Sequence, residues 1–130
     1  MTKKKERELI LNKYGGKCAY CGDPLKKGWH KDHIEPIKRD YKWSHKSRKW
    51  KVEGMLKPEL DIIENMNPSC PSCNINKHDM SIEQFRNQIK RFINSLNLRS
   101  TQYKIAKRYG LIIETEIEVI FYFEKYTNNE

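Results

Sequence analysis

The chain has 130 residues, 37% of them hydrophobic and 33% charged, and its 26 Lys and Arg against 17 Asp and Glu leave a net charge of +9. That length is one domain, or one small domain with an appendage, whose thin core benefits from a staple. No apolar run is long enough to cross a bilayer. Only Leu9, Ile10 and Leu11 follow the opening lysines, too few for a secretory signal, so a cytoplasmic protein is expected, with no membrane partner. A field of this sign attracts polyanions, most commonly nucleic acid.

Taken in order, residues 2–13 read as a short helix capped by Thr2 and ended by Gly15 and Gly16. Lys17-Cys18-Ala19-Tyr20-Cys21-Gly22-Asp23 then reads as a cysteine hairpin, with Gly22 allowing the tight turn behind the second sulfur. Cys70 and Cys73 repeat the spacing of Cys18 and Cys21 after a gap of 48 residues. In a reducing compartment, two such pairs favour one closed four-thiolate zinc site over disulfides. Because a saturated ion has no open position, that zinc is expected to be structural.

Residues 29–34 read as a strand closed by Pro36, so that neighbouring Asp32 and His33 point to opposite faces and can grip one phosphate from two sides. His30 shares the face of Asp32 and reads as solvent-exposed. From Lys38 to Lys51 seven of fourteen residues are Lys or Arg, namely Lys38, Arg39, Lys42, Lys46, Arg48, Lys49 and Lys51, interleaved with Tyr41, Trp43, His45 and Trp50. Mutual repulsion predicts a mobile loop here, with cations for phosphates and aromatic planes for stacking or wedging. Its bland alternative is a solvated loop whose tryptophans tuck into the core.

Pro68 leads into the second cysteine turn, and Asn74-Ile75-Asn76-Lys77 is expected to begin a short helix whose free N–H groups suit an anion. If that helix continues, Asn74 and His78 share a face and His78 is an accessory ligand for the same ion. Ser81 and Gln84 form a capping box, with Met80 stapling onto Phe85. Ile82, Phe85, Ile89, Phe92, Ile93 and Leu96 then make one apolar stripe, read as core. Arg86, Lys90 and Arg91 face either the polyanion or water. A further helix is expected over 101–109, ending at Gly110, and the alternation from Glu116 to Glu124 predicts a strand.

Taken together, Cys18-x-x-Cys21, Asp32-His33, Asn65, and Cys70-x-x-Cys73-Asn74-x-x-Lys77 resemble the zinc-containing HNH endonucleases, the ββα-metal nucleases of phage, mobile elements and restriction systems. The likeness covers residues 15–79, and residues 81–130 resemble the C-terminal extension of phage-type members. It implies an α+β fold, with a small ββα-metal core over 1–80 that carries the N-terminal helix and a basic insert at 38–60. A helix-helix-strand extension over 81–130 packs on that core. Asn74 stands at the signature position often held by histidine, and the long basic insert departs from the family pattern.

The roles implied by that resemblance are chemically coherent. His33 is the general base that activates water. A hard divalent ion, Mg²⁺ foremost, takes oxygens from Asp32 and Asn74. Asn65 holds the His33 loop through hydrogen bonds. Lys77 and the basic insert hold the DNA, expected to be double-stranded, and the products carry 5′-phosphate and 3′-hydroxyl ends. Phage packaging proteins are possible partners, in a bacterium or a phage-infected host. The competing reading is a non-catalytic zinc-finger protein that binds DNA or RNA. It explains the cysteines and the charge but gives Asp32, His33 and Asn74 no task. A redox role for Cys-x-x-Cys lacks the βαβ context that motif needs.

Overall fold

The computed structural model describes residues 1–126 as an α+β protein with two small antiparallel sheets. Helix α1 (Lys3–Leu11) starts where Thr2 Oγ1 accepts from the Lys5 N–H at 3.1 Å, and a single 3₁₀ turn carries it to Gly15, whose φ of 65° needs no side-chain strain. The cysteine hairpin follows, closed by the Gly22 N–H donating to the Cys18 carbonyl at 3.0 Å. Gly22 has φ 80°, and a Cβ there would stand 2.9 Å from the Tyr122 ring, so glycine is required twice over.

Strand β1 (His30–His33) pairs antiparallel with β4 (Met66–Ser69), Asp32 opposite Asn67 and His33 opposite Met66. Between them in sequence stands an arm of two strands, β2 (Arg39–Ser44) and β3 (Lys49–Met55), paired only with each other. Its base is zipped by Leu56 N–H to the Lys38 carbonyl at 2.6 Å and Lys57 N–H to the Ile37 carbonyl at 2.9 Å. The expected mobile loop is therefore an ordered hairpin. Charge repulsion is outweighed by a backbone ladder and by β-branched and aromatic cross-strand partners. Nor do its tryptophans tuck into the core, since both strands are largely exposed along their length.

Helix α2 (Pro71–Lys77) begins at the second cysteine pair, earlier than expected, because Pro71 is preset for the first turn and Cys70 caps it. Lys77 ends it. His78, with φ 50° and ψ −122°, leaves the helical path, so the helix does not continue to align Asn74 with His78. Helix α3 (Ile82–Arg99) has the expected capping box. Its first half supplies the core, with Phe85 buried and Ile82 and Ile89 packed on the same cluster. The second half does not: Phe92, Ile93 and Leu96 remain exposed, because α4 (Thr101–Arg108) is too short to cover them.

The expected C-terminal strand is absent among the described residues. Residues 113–121 run without sheet partners, and Tyr122–Lys125 form a short helix, α5. An alternating pattern needs a neighbouring ladder, and here Phe121 leaves the pattern to fill the core. It stacks on Phe85 with centroids 5.3 Å apart, and Tyr20 meets both rings edge-on. Backbone N–H groups of Tyr122 and Phe123 donate to the carbonyls of Tyr20 and Ala19 at 3.0 and 2.7 Å. Arg86 locks the same segment, donating to the Val119 carbonyl and pairing with Glu124 at 2.7 Å, so it is a structural latch. No helix among the described residues is long and apolar enough to cross a membrane.

Candidate metal centre and adjoining cleft

Cys18, Cys21, Cys70 and Cys73 come together with their sulfurs all within 4.8 Å of one another. A tetrahedron of sulfurs around zinc at ~2.3 Å has edges of roughly 3.8 Å, and Cys21 Sγ lies 3.8 Å from Cys70 Sγ. The cluster fits a four-coordinate structural metal ion such as zinc. Backbone N–H groups prepare it: Cys70 donates to Cys18 Sγ at 3.4 Å and Cys73 to Cys70 Sγ at 3.5 Å. The hydrogen bond with Cys73, helped by backbone N–H groups, lowers the Cys18 thiol pKa against the opposing effect of its burial. At the start of α2, where free N–H groups were expected to suit an anion, those of Cys70 and Cys73 are turned toward sulfur. Among the described residues no other group of three or more Cys, His, Asp or Glu is arranged to hold a metal.

Behind this centre lies a buried polar knot. Asp32 Oδ2 accepts from the Tyr20 hydroxyl and from Lys77 Nζ, the latter at 3.0 Å. Lys77 also donates to the His33 carbonyl at 2.7 Å and is fully buried. The expectation that Lys77 contacts DNA is therefore wrong. Its ammonium is spent on tying α2 to β1, because a lysine on the inner face of a short helix finds a carboxylate and a carbonyl before it finds solvent. Burial raises the Asp32 carboxyl pKa more than Lys77 and Tyr20 lower it, and burial with the Asp32 charge keeps Tyr20 protonated as the donor. Asn67 is fully buried in β4, opposite Asp32.

His33 points away from that knot, as strand alternation requires. Its Nε2 lies 2.8 Å from Asp61 Oδ1. Sequence reasoning passed over Asp61. It follows a 3₁₀ turn over Pro58–Leu60, and nothing in its local pattern announces a partner 28 positions upstream. Asn65 is bound as a clasp on the chain just after His33: its Oδ1 accepts from the Glu35 N–H at 3.0 Å, and its Nδ2 donates to the carbonyls of Glu35 and Leu60 at 2.9 and 2.8 Å.

A cleft of about 510 Å³ opens over this edge, lined by His30, Asp32, His33, Asn74, His78 and, at the root of the hairpin arm, Lys38, Arg39 and Tyr41. Asp32 and Asn74 thus reach one cavity, although one Asp32 oxygen is already engaged. His78 lines it from beyond the helix end, with an exposed ring 4.0 Å from Asp79. Arg39 is exposed at its wall, and Lys38 bonds to the Asp79 carbonyl at 3.2 Å. Lys42, Lys46, Arg48, Lys49 and Lys51 lie on the arm outside the cleft. No protein-family model, no curated protein and no solved structure matches this chain.

Proposed function

We propose that the protein is a metal-dependent DNA endonuclease of the HNH kind, hydrolysing phosphodiester bonds in the cleft between β1 and α2. One observation carries the reading: His33, held by a carboxylate, shares a cleft with Asn74 at the root of a strongly basic arm. The order β1, β4, α2 around a four-cysteine centre supports it, being the ββα succession with the arm inserted.

In this reading Asp61 fixes the His33 ring. With Nε2–H donating to Asp61, Nδ1 is the basic nitrogen and takes the proton of the attacking water. Asn65 keeps the His33 turn from shifting, which matters because small displacements of a base forfeit much of its advantage. Asp32 and Asn74 offer oxygens suited to a divalent ion that keeps most of its waters. When bound, such an ion supplies charge stabilisation at the phosphate and the departing 3′ oxygen. The products carry 5′-phosphate and 3′-hydroxyl ends.

The test is supercoiled plasmid incubated with the zinc-loaded protein and Mg²⁺, Mn²⁺ or Ni²⁺. Wild type is expected to nick or linearise it, and His33→Ala to lose on the order of a hundredfold or more. A well-folded wild type that binds DNA but leaves it uncut with all three ions sinks the proposal. That outcome favours the second reading, a non-catalytic zinc-finger nucleic-acid-binding protein. The Lys77 ammonium on Asp32 speaks for it, since a neutralised carboxylate attracts a cation weakly.

A further inference from the structure

The two faces of the hairpin arm differ. Residues directly opposite across a sheet share a face, and here Trp43 faces Trp50 and Tyr41 faces Val52. The other face sets Lys42 against Lys51 and Ser44 against Lys49. Among the described residues the aromatic face stays largely open: Tyr41 is 50% exposed, Trp43 43% and Trp50 67%. The two indoles meet edge to face at 5.5 Å, which leaves ring area open to solvent. The face is also continuous with the cleft, since Tyr41 lines the cavity that holds His33.

Charge decides what such a face receives. Arg39, Lys42, Lys46, Arg48, Lys49 and Lys51 make no ion pair among the described residues. Lys42, Lys49 and Lys51 project on the opposite face, so the cations beside the rings are Arg39, two residues before Tyr41 on the same strand, and Lys46 and Arg48 in the turn at the hairpin tip. An apolar protein partner leaves those cations unanswered, and a duplex backbone leaves the ring faces unanswered. A strand with unstacked bases answers both, with phosphates to the cations and base planes to the rings.

We infer that the Tyr41, Trp43 and Trp50 face of the arm is a stacking platform for unpaired nucleobases, so that the protein prefers single-stranded DNA, or duplex with unpaired bases, over intact duplex. This rests on the nucleic-acid part of the function proposed above and not on cleavage. The bland competitor is that the indole pair merely stabilises the hairpin.

The experiment uses full-length zinc-loaded His33→Ala protein without added divalent ions, reading tryptophan fluorescence and the anisotropy of labelled oligothymidylate and of a labelled duplex. Oligothymidylate is expected to quench the tryptophans. Trp50→Ala is expected to weaken single-strand binding about tenfold, as removal of one base–aromatic stack does. It should change duplex binding less than about twofold, which also shows the arm intact, and Trp50→Phe should recover most of the binding. The inference is overturned if Trp50→Ala weakens both ligands alike or neither, or if Phe fails to restore binding. A polyglutamate peptide that binds as tightly, with the same dependence on Trp50, also overturns it. An uncut plasmid beside the expected Trp50 result removes the catalytic reading alone.

Discussion

Lys77 and the lysines of the hairpin arm carry the same side chain into opposite settings. Lys77 is fully enclosed, 3.0 Å from the Asp32 carboxylate and 2.7 Å from the His33 carbonyl, and it holds one helix to one strand. Lys42 and Lys51 face each other in water and make no ion pair among the described residues. A buried cation has its partners supplied by the fold, so its removal is felt in stability. An exposed, unpaired one has its partners supplied by something else, so its removal is felt in binding. Formal charge counts the two alike, and only position separates them.

The sharpest way to break this contrast is to remove the frame that buries Lys77. Cys70→Ser, or stripping the metal with a chelator, is expected to abolish cooperative folding, because metal binding at such a site contributes folding free energy directly. A circular-dichroism melt unchanged from wild type, with no bound zinc by elemental analysis, would show that the sulfur cluster is not the staple. Next in size is Lys77→Met. It leaves a carboxylate buried without its counter-charge and should cost about 3–5 kcal/mol in urea denaturation. A change below about 1 kcal/mol would mean the pair contributes little and the contrast with the arm is false.

The arm should respond in binding instead. Replacing Lys42, Lys49 and Lys51 by Gln is expected to leave urea stability within about 0.5 kcal/mol, as exposed substitutions do. The same change should flatten the slope of log affinity for DNA against log salt by roughly 0.7–0.9 for each phosphate no longer neutralised. An unchanged slope would move the DNA elsewhere on the molecule.

The smallest effect belongs to Glu114, where exposed charges are paired within the fold. Hydrogen bonds from Asn97 and Tyr103, then Lys107, hold its carboxyl at about 2, below the ordinary 4.5. A depressed acid stabilises the fold above its unfolded value and loses that contribution as pH falls through its folded one. Protection of the Leu111 amide, taken relative to its intrinsic exchange rate, should therefore fall between about pH 4.5 and 2, and a Glu114→Gln variant should lack that dependence.

What could be read from the sequence was whatever is local or repeated. The cap at Thr2, the box at Ser81 and Gln84, and the positive φ of Gly22 depend on residues a few positions apart, and the paired cysteine spacing announced its own cluster. Illegible features were those decided by distant partners. Lys77 looked like a surface cation because its partner Asp32 lies 45 positions away in sequence. Asp61 carried no local sign of His33, the partner against which the fold sets it. The arm read as mobile because charge counting cannot see a backbone ladder, and residues 116–124 read as a strand because alternation does not reveal that no neighbour is present.

The backbone bonds from Tyr122 and Phe123 to Tyr20 and Ala19 tie the first cysteine hairpin to a segment that follows both cysteine pairs in the chain. Until that segment is synthesised, the carbonyls of Ala19 and Tyr20 lack these donors, and the hairpin that carries Cys18 and Cys21 lacks its outer support.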